Sequence, residues 1–274
     1  MIRKRGFTLI ELLIVIAIIA ILLTLLAPAL RNAIKHAKGS HCLMNLRTLS
    51  MAWVNYADEN KGNLCSGEVW GNYNNVKPFD WVHPYIRTSH PKYYAGMSDH
   101  ERELEGIRSG SLYPYTGKNV GVYNCPADEE WLRFQNYNSY TSPFRSFAMP
   151  NPMNGQWGPR VHMYTKLGAV KFPEDKLVFL EEQENFGSNW GSWILPTNPS
   201  TREWWDPMAI WHSKSSTNLG YADGHAKPRY WISESTLYMA ETQQLGVNPG
   251  APQFDGIFDD LNYVRSIYHE AYNF

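Results

Sequence analysis

Met1-Ile2-Arg3-Lys4-Arg5-Gly6-Phe7-Thr8-Leu9-Ile10-Glu11-Leu12-Leu13 opens the chain, and the apolar run that begins there continues to Ala27. Three cations, Arg3, Lys4 and Arg5, precede Gly6, and between Phe7 and Ala27 the one charged residue is Glu11. A helix of roughly 20 apolar residues crosses a bilayer, so the run is long enough to do so. The basic residues ahead of it predict a cytoplasmic amino terminus with the remainder of the chain across the membrane. A secretory signal would be cut after the apolar region at small residues, which Ala27-Pro28-Ala29 matches only loosely. A plain anchor would account for the length equally well. Neither needs a carboxylate inside the greasy segment, where a charge is costly and marks function, so Glu11 calls for a cationic partner.

Gly6-Phe7-Thr8-Leu9-Ile10-Glu11 resembles the processing site of type IV prepilins and of the pseudopilins of type II secretion systems. The resemblance implies that a membrane aspartyl peptidase, the prepilin peptidase, cuts between Gly6 and Phe7 on the cytoplasmic side and methylates the new amino group of Phe7. The apolar helix is then kept. It also implies that the Glu11 side chain meets the amino terminus of a neighbouring subunit, which supplies the missing cation. A pair buried between helices favours register more than it adds net stability. On this reading residues 1–6 are a leader, 7–29 a transmembrane and filament-core helix, and 30–274 an extracytoplasmic globular domain that includes the outer half of the helix. The implied partners are the prepilin peptidase, other pilin or pseudopilin subunits and the inner membrane. The implied function is structural, as a subunit of a type II secretion or type IV pilus-like filament.

The remaining 240 or so residues suffice for one domain with a sizeable core. Net charge is −1, and no basic run follows the first five residues, so a nucleic-acid surface is not indicated. The chain holds 11 Trp, 17 Tyr, 20 Gly and 17 Pro, which reads as a loop-rich extracytoplasmic domain. Core and loop packing account for so many aromatics first; a glycan-stacking surface is the alternative, and with it a membrane-tethered glycan-binding module that forms no filament.

The helical pattern does not stop at the membrane exit. Leu30, Ile34, Ala37 and His41, then Leu46, Leu49, Trp53 and Tyr56, recur at steps of three and four, which predicts one amphipathic helix to about Asn60. Pro28 is expected to kink or loosen it. Pilin-like proteins are similar in carrying a helix breaker at this depth, which gives Pro28 an expected role in filament assembly beside Glu11. Gly39 is a second weak point, and Asn60-Lys61-Gly62-Asn63 supplies a glycine cap. The expected fold is α+β and pilin-like: this helix packed on an antiparallel sheet, with aromatic-rich loop insertions.

A narrower resemblance rests on Cys42-Leu43-Met44-Asn45-Leu46-Arg47-Thr48-Leu49-Ser50-Met51-Ala52 and on Tyr56-Ala57-Asp58-Glu59-Asn60-Lys61-Gly62. These are similar to pilin-like proteins named for a signature of His, nine-residue spacer and Asp-Gly near the carboxy end. Leu112-Tyr113-Pro114 followed by Cys125-Pro126-Ala127-Asp128 resembles a further pattern of that family. Cys42 and Cys125 thus fall on motif positions while Cys65 does not. Export exposes thiols to oxidising chemistry, and a Cys42–Cys125 disulfide is expected to tie the helix to the turn, with free thiols as the alternative. The absence of any Cys-x-x-Cys spacing disfavours a metal site built from cysteines.

Residues 63–118 read as loops and short helices, one of them entered through Ser98 and running to Ser109. Strands are expected at Tyr137–Phe147, Val161–Leu167 and Leu177 onward, the last ending in the carboxylates Glu181, Glu182 and Glu184. Residues from Gly187 to Met208, with Trp190, Trp193, Trp204 and Trp205, read as an insertion. Then comes Trp211-His212 and, after ten residues where the signature has nine, Asp223-Gly224-His225, which predicts a hairpin turning at Asp223-Gly224. His212, Asp223 and His225 with Glu181 suit Zn²⁺, whereas Asp223 with Glu181 or Glu182 suits Ca²⁺. A structural role for His212 and Asp223 is the first expectation, and a membrane-anchored zinc hydrolase a third reading. No nucleophile beside a base, no phosphate loop and no HExxH pattern is legible, so enzymatic activity is not expected. A short helix is predicted from Ser235 to Leu245. Asp255, Asp259 and Asp260 near the end fit helix capping better than a calcium loop.

Overall fold

The computed structural model describes residues 8–67, 77–83, 92–128, 145–155, 163–182, 191–196, 202–213, 215–242 and 246–268. Gly6 and Phe7, and the expected strand from Tyr137 up to residue 144, lie outside them.

Helix α1 runs from Leu9 to Glu59, about 77 Å at 1.5 Å per residue. Thr8 caps it, accepting from the Glu11 amide at 3.2 Å while Glu11 Oε2 accepts from Thr8 N at 2.8 Å. Pro28 does not interrupt it: α1 is continuous through that position. Proline has no amide proton to give the Thr24 carbonyl, and the Thr24 hydroxyl donates one turn back to the Ile21 carbonyl at 2.7 Å. At the far end Gly62 adopts φ +79° and donates to the Ala57 carbonyl at 2.8 Å, as the expected glycine cap.

Burial divides α1 in two. Its large apolar residues from Leu9 to Ile34 are all exposed, and Leu30, Ile34 and His41 do not belong to the packed face as the periodicity suggested. Burial starts at Cys42 and continues through Asn45, Leu46, Leu49, Ser50, Ala52, Trp53 and Ala57, one stripe at helical spacing.

That stripe rests on a five-stranded sheet of β1 (Phe147–Pro150), β2 (Leu177–Glu181), β3 (Ser192–Trp193), β4 (Ser216–Tyr221) and β5 (Ala226–Tyr230), in the order β3-β1-β2-β4-β5. All pairs are antiparallel except β1 with β3 at one edge. Helix α2 (Asp99–Ser109) opens with the Ser98–Glu101 capping box that its sequence predicts. Helices α3 (Glu234–Thr242) and α4 (Asp259–Tyr268) contribute Met239, Leu261, Val264, Ile267 and Tyr268 to a second core on the opposite face of the sheet from α1.

Strand β2 is buried throughout because both its faces are covered. Leu177 and Leu180 join the α3/α4 core, while Val178 and Phe179 join the α1 core. Two successive residues on one face reflect the register shift between Leu177 and Phe179.

Two expectations need correction. The described part of Val161–Leu167 is not a strand: Tyr164 and Lys166 make isolated bridges to Met153 and Asn63, and a 3₁₀ turn follows at Leu167–Ala169. The stretch from Gly187 to Met208 is not mere insertion, since it supplies edge strand β3 and places Trp193 and Trp204 in the core. Ser192–Trp193, two residues long, is too short to carry the two-residue alternation by which strands are read from sequence.

Candidate functional site

At the membrane end, Glu11 Oε2 accepts from both the amide and the hydroxyl of Thr8, each at 2.8 Å. Oε1 has no hydrogen-bond partner among the described residues. Around it α1 offers uninterrupted apolar surface, and it is long and apolar enough to cross a membrane.

A second site forms where α1 first enters the core. Cys42 is the first buried residue of the helix, and three other elements converge on it. Cys125 stands in the Cys-Pro-Ala-Asp turn: the Asp128 amide donates to the Cys125 carbonyl at 2.9 Å, the Cys125 amide to Ser146 Oγ at 2.9 Å, and Ser146 Oγ to Asp128 Oδ2 at 2.7 Å. Asn45, one helical turn beyond Cys42, fixes the same turn by donating to the carbonyls of Asn124 at 2.8 Å and Gly121 at 3.2 Å. Glu181 ends β2, opposite Phe147. His212 precedes β4, its ring against Gly39, where a Cβ would stand 3.5 Å from Cγ and Nδ1.

The four functional groups lie within 4.8 Å of one another. Cys42 Sγ donates to Glu181 Oε1 at 2.6 Å, His212 Nε2 lies 2.6 Å from the same oxygen, and Cys125 Sγ lies 3.4 Å from His212 Nε2. Glu181 is further held by Asn218, whose amide donates to Oε2 at 2.8 Å and whose side chain donates to Oε1 at 2.9 Å. Burial pushes the Cys42 thiol up, and Cys125 and Glu181 add to the effect. Burial would raise Cys125 as well, but hydrogen bonds with Cys42 and His212 outweigh it and hold that thiol below the usual range. For His212 burial acts downward and is overcome by Cys125 and Glu181, which push the imidazole up to about 10.

The structure thus sets a thiol beside an imidazole, a pairing not legible in the sequence. It is not the order of a nucleophilic triad, which needs the carboxylate on one ring nitrogen and the nucleophile on the other. Here both meet Nε2, His212 Nδ1 has no hydrogen-bond partner among the described residues, and both cysteines are fully buried. All three cysteines are free thiols, so Cys42 and Cys125 are brought together as expected but without the expected bond.

The proposed ligand set is split. Glu181 and His212 are in contact, whereas Asp223 and His225 sit at the β4–β5 turn, paired with each other at 2.6 Å. Gly224 there has φ +91°, and a Cβ on it would clash with Met51 Sδ at 2.2 Å. Met51 is twelve residues from Gly39, so the turn and His212 are about 18 Å apart along α1. The hairpin and its Asp-Gly turn are as the sequence predicts; His212 and Asp223 serve different ends of it. Trp204 is in the core against Trp231, and Trp205, exposed, donates to Glu203 at 3.1 Å. Sequence reasoning missed Cys42 and Cys125 as companions of Glu181 and His212. The available signal was that both cysteines and His212 all fall on motif positions.

Fold and site together define an α+β protein of pilin-like architecture with, among the described residues, one membrane-type helix at the amino-terminal end. Residues 1–27 match the model of the prokaryotic N-terminal methylation motif. With the long apolar helix behind that motif, the chain fits a type IV pilin-like protein processed by a prepilin peptidase. Neither curated proteins nor solved structures give a match.

Proposed function

We propose that the chain is a pilin or pseudopilin subunit that assembles into a filament of the type II secretion or type IV pilus kind, with its globular domain outside the inner membrane. The observation that carries this reading is the division of α1: large apolar residues exposed from Leu9 to Ile34, then a core-forming stripe from Cys42, in one unbroken helix. A helix bare of packing over that length needs either lipid or other helices around it. In the membrane lipid serves; in a filament the same surfaces of neighbouring subunits do, and Glu11 Oε1 takes the methylated amino terminus of an adjacent Phe7. A lone tether would give no use to that carboxylate. The test is mass spectrometry of the amino-terminal peptide in sheared surface material and in membranes. A methylated Phe7 terminus in abundant sheared fibres supports a major filament subunit, and the same terminus at low copy in membranes supports a pseudopilin. An intact Met1 terminus in the mature protein overturns the reading.

A further inference from the structure

We propose that Cys42, Cys125, Glu181 and His212 are the four ligands of one zinc ion, a closed structural centre that pins α1 to the sheet where the helix enters the globular domain. The donor set is two sulfurs, one imidazole nitrogen and one carboxylate oxygen, and thiolate with imidazole selects zinc among common divalent ions, whereas calcium and magnesium take oxygen. This set shares Glu181 and His212 with the one read from the sequence and replaces Asp223 and His225 by the two cysteines.

The geometry is close to what such an ion requires. Bonds of about 2.0–2.3 Å at tetrahedral angles put ligand atoms about 3.3–3.8 Å apart. Cys125 Sγ and His212 Nε2, 3.4 Å apart, already meet that spacing. The two 2.6 Å contacts to Glu181 Oε1 are hydrogen bonds, each with a proton where the metal would stand. They must open by about 1 Å as the ion enters. Binding is then an exchange: Zn²⁺ takes the sulfur, nitrogen and oxygen lone pairs, and the Cys42 thiol proton and the Nε2 proton leave to solvent, as does any proton on Cys125.

Three observations favour a shared ion over four separate polar contacts. Oε1 of Glu181 is approached by Cys42, His212 and Asn218 at 2.6, 2.6 and 2.9 Å, more donors than its two lone pairs can serve well. Glu181 and both cysteines are fully buried with the His212 ring among them, so four groups able to hold a metal are gathered largely away from water, where polar groups are costly unless well partnered. Asn218 holds both carboxylate oxygens by its backbone and its side chain, the kind of outer support that orients a metal ligand. The ligands come from four separate segments: α1, the Cys-Pro turn, the end of β2 and the approach to β4. One ion would therefore close three chain loops, which is where a staple stabilises most.

The rival for the same atoms is a Cys42–Cys125 disulfide. Full-length chain, extracted from membranes in detergent without chelator, separates the two by elemental analysis and by mass spectrometry of the alkylated thiols. The proposal expects about one zinc per chain and both thiols unbridged, with Cys65→Ser keeping the metal and Cys42→Ser, Cys125→Ser and His212→Ala losing most of it. Replacement by Co²⁺ in the wild-type chain gives a second reading that needs no variant: a thiolate-to-cobalt charge-transfer band and the intense visible bands of tetrahedral coordination. A Cys42–Cys125 disulfide in the mature chain overturns the proposal. So does a reduced wild-type chain that takes up neither Zn²⁺ nor Co²⁺, or metal retained in full by the double Cys42→Ser, Cys125→Ser chain.

Discussion

Gly220 of β4 and Ser50 of α1 touch: a Cβ on Gly220 would stand 2.5 Å from Ser50 Oγ and 3.5 Å from the Leu46 carbonyl oxygen. The absence of a side chain at Gly220 is what lets the helix lie on the sheet. Gly220→Ala is expected to cost about 1–3 kcal/mol through overpacking, read as a fall in the unfolding midpoint. Ser50→Gly in the same chain should recover part of it, because the nearest clash is with that hydroxyl. Simple addition of the two losses would show that the contact does not limit the approach.

Glu11→Ala is expected to leave membrane insertion and cleavage intact and to abolish incorporation into filaments. Sheared fractions and membranes, probed for the chain side by side, check this. Normal incorporation would remove Glu11 from the assembly mechanism. Gly6→Asp should block processing altogether, so that no peptide beginning at Phe7 is found.

Asp260 tests the packing of the carboxy-terminal helices. Fully buried, its Oδ2 accepts from the amides of Ile232 and Ser233, both at 2.8 Å, just before α3, while Arg229 stands 3.6 Å from Oδ1. Asp260→Ala strands both amides and is expected to lower stability by about 3 kcal/mol. Asp255, exposed and bonded to the Ile257 amide at 2.9 Å, should matter by about 0.5 kcal/mol or less when changed to Ala. Denaturant unfolding of the two variants gives the comparison.

Trp204 and Trp205 separate core packing from surface binding. Trp204→Ala opens a cavity against Trp231 and is expected to cost about 3–5 kcal/mol. Trp205→Ala should change stability by about 0.5 kcal/mol or less. Loss of polysaccharide binding in a stably folded Trp205→Ala chain would favour a glycan-binding module over the filament reading.

Much of this fold was legible because its signals are local. The long helix, its cap at Gly62, the Ser98–Glu101 box and the Asp223-Gly224 hairpin turn each declare themselves within a few residues. What escaped was set by distance or by context. Pro28 reads as a break, but a helix can give up one hydrogen bond and continue. Ser192–Trp193 is too short to show a period and becomes a strand only because β1 lies alongside. The Cys42, Cys125, Glu181 and His212 cluster has no spacing rule at all: 139 residues separate Cys42 from Glu181 and 87 separate Cys125 from His212. Ligand-spacing rules describe sites built on one loop or hairpin, and this one is assembled by the docking of α1 on the sheet.

The unbroken course of α1 makes it an axle as well as an anchor. Successive residues turn by about 100°, so Glu11 and Cys42, thirty-one positions apart, are held at a fixed phase of about 220° around one shaft. No loop between them can absorb a twist. On the proposed filament reading, neighbouring subunits that set the rotation of Glu11 would also set the compass bearing of the whole sheet, and with it which aromatic loops face outward. Adding or deleting one residue between Ile34 and His41 would swing the globular domain by about 100° while leaving both halves chemically unchanged.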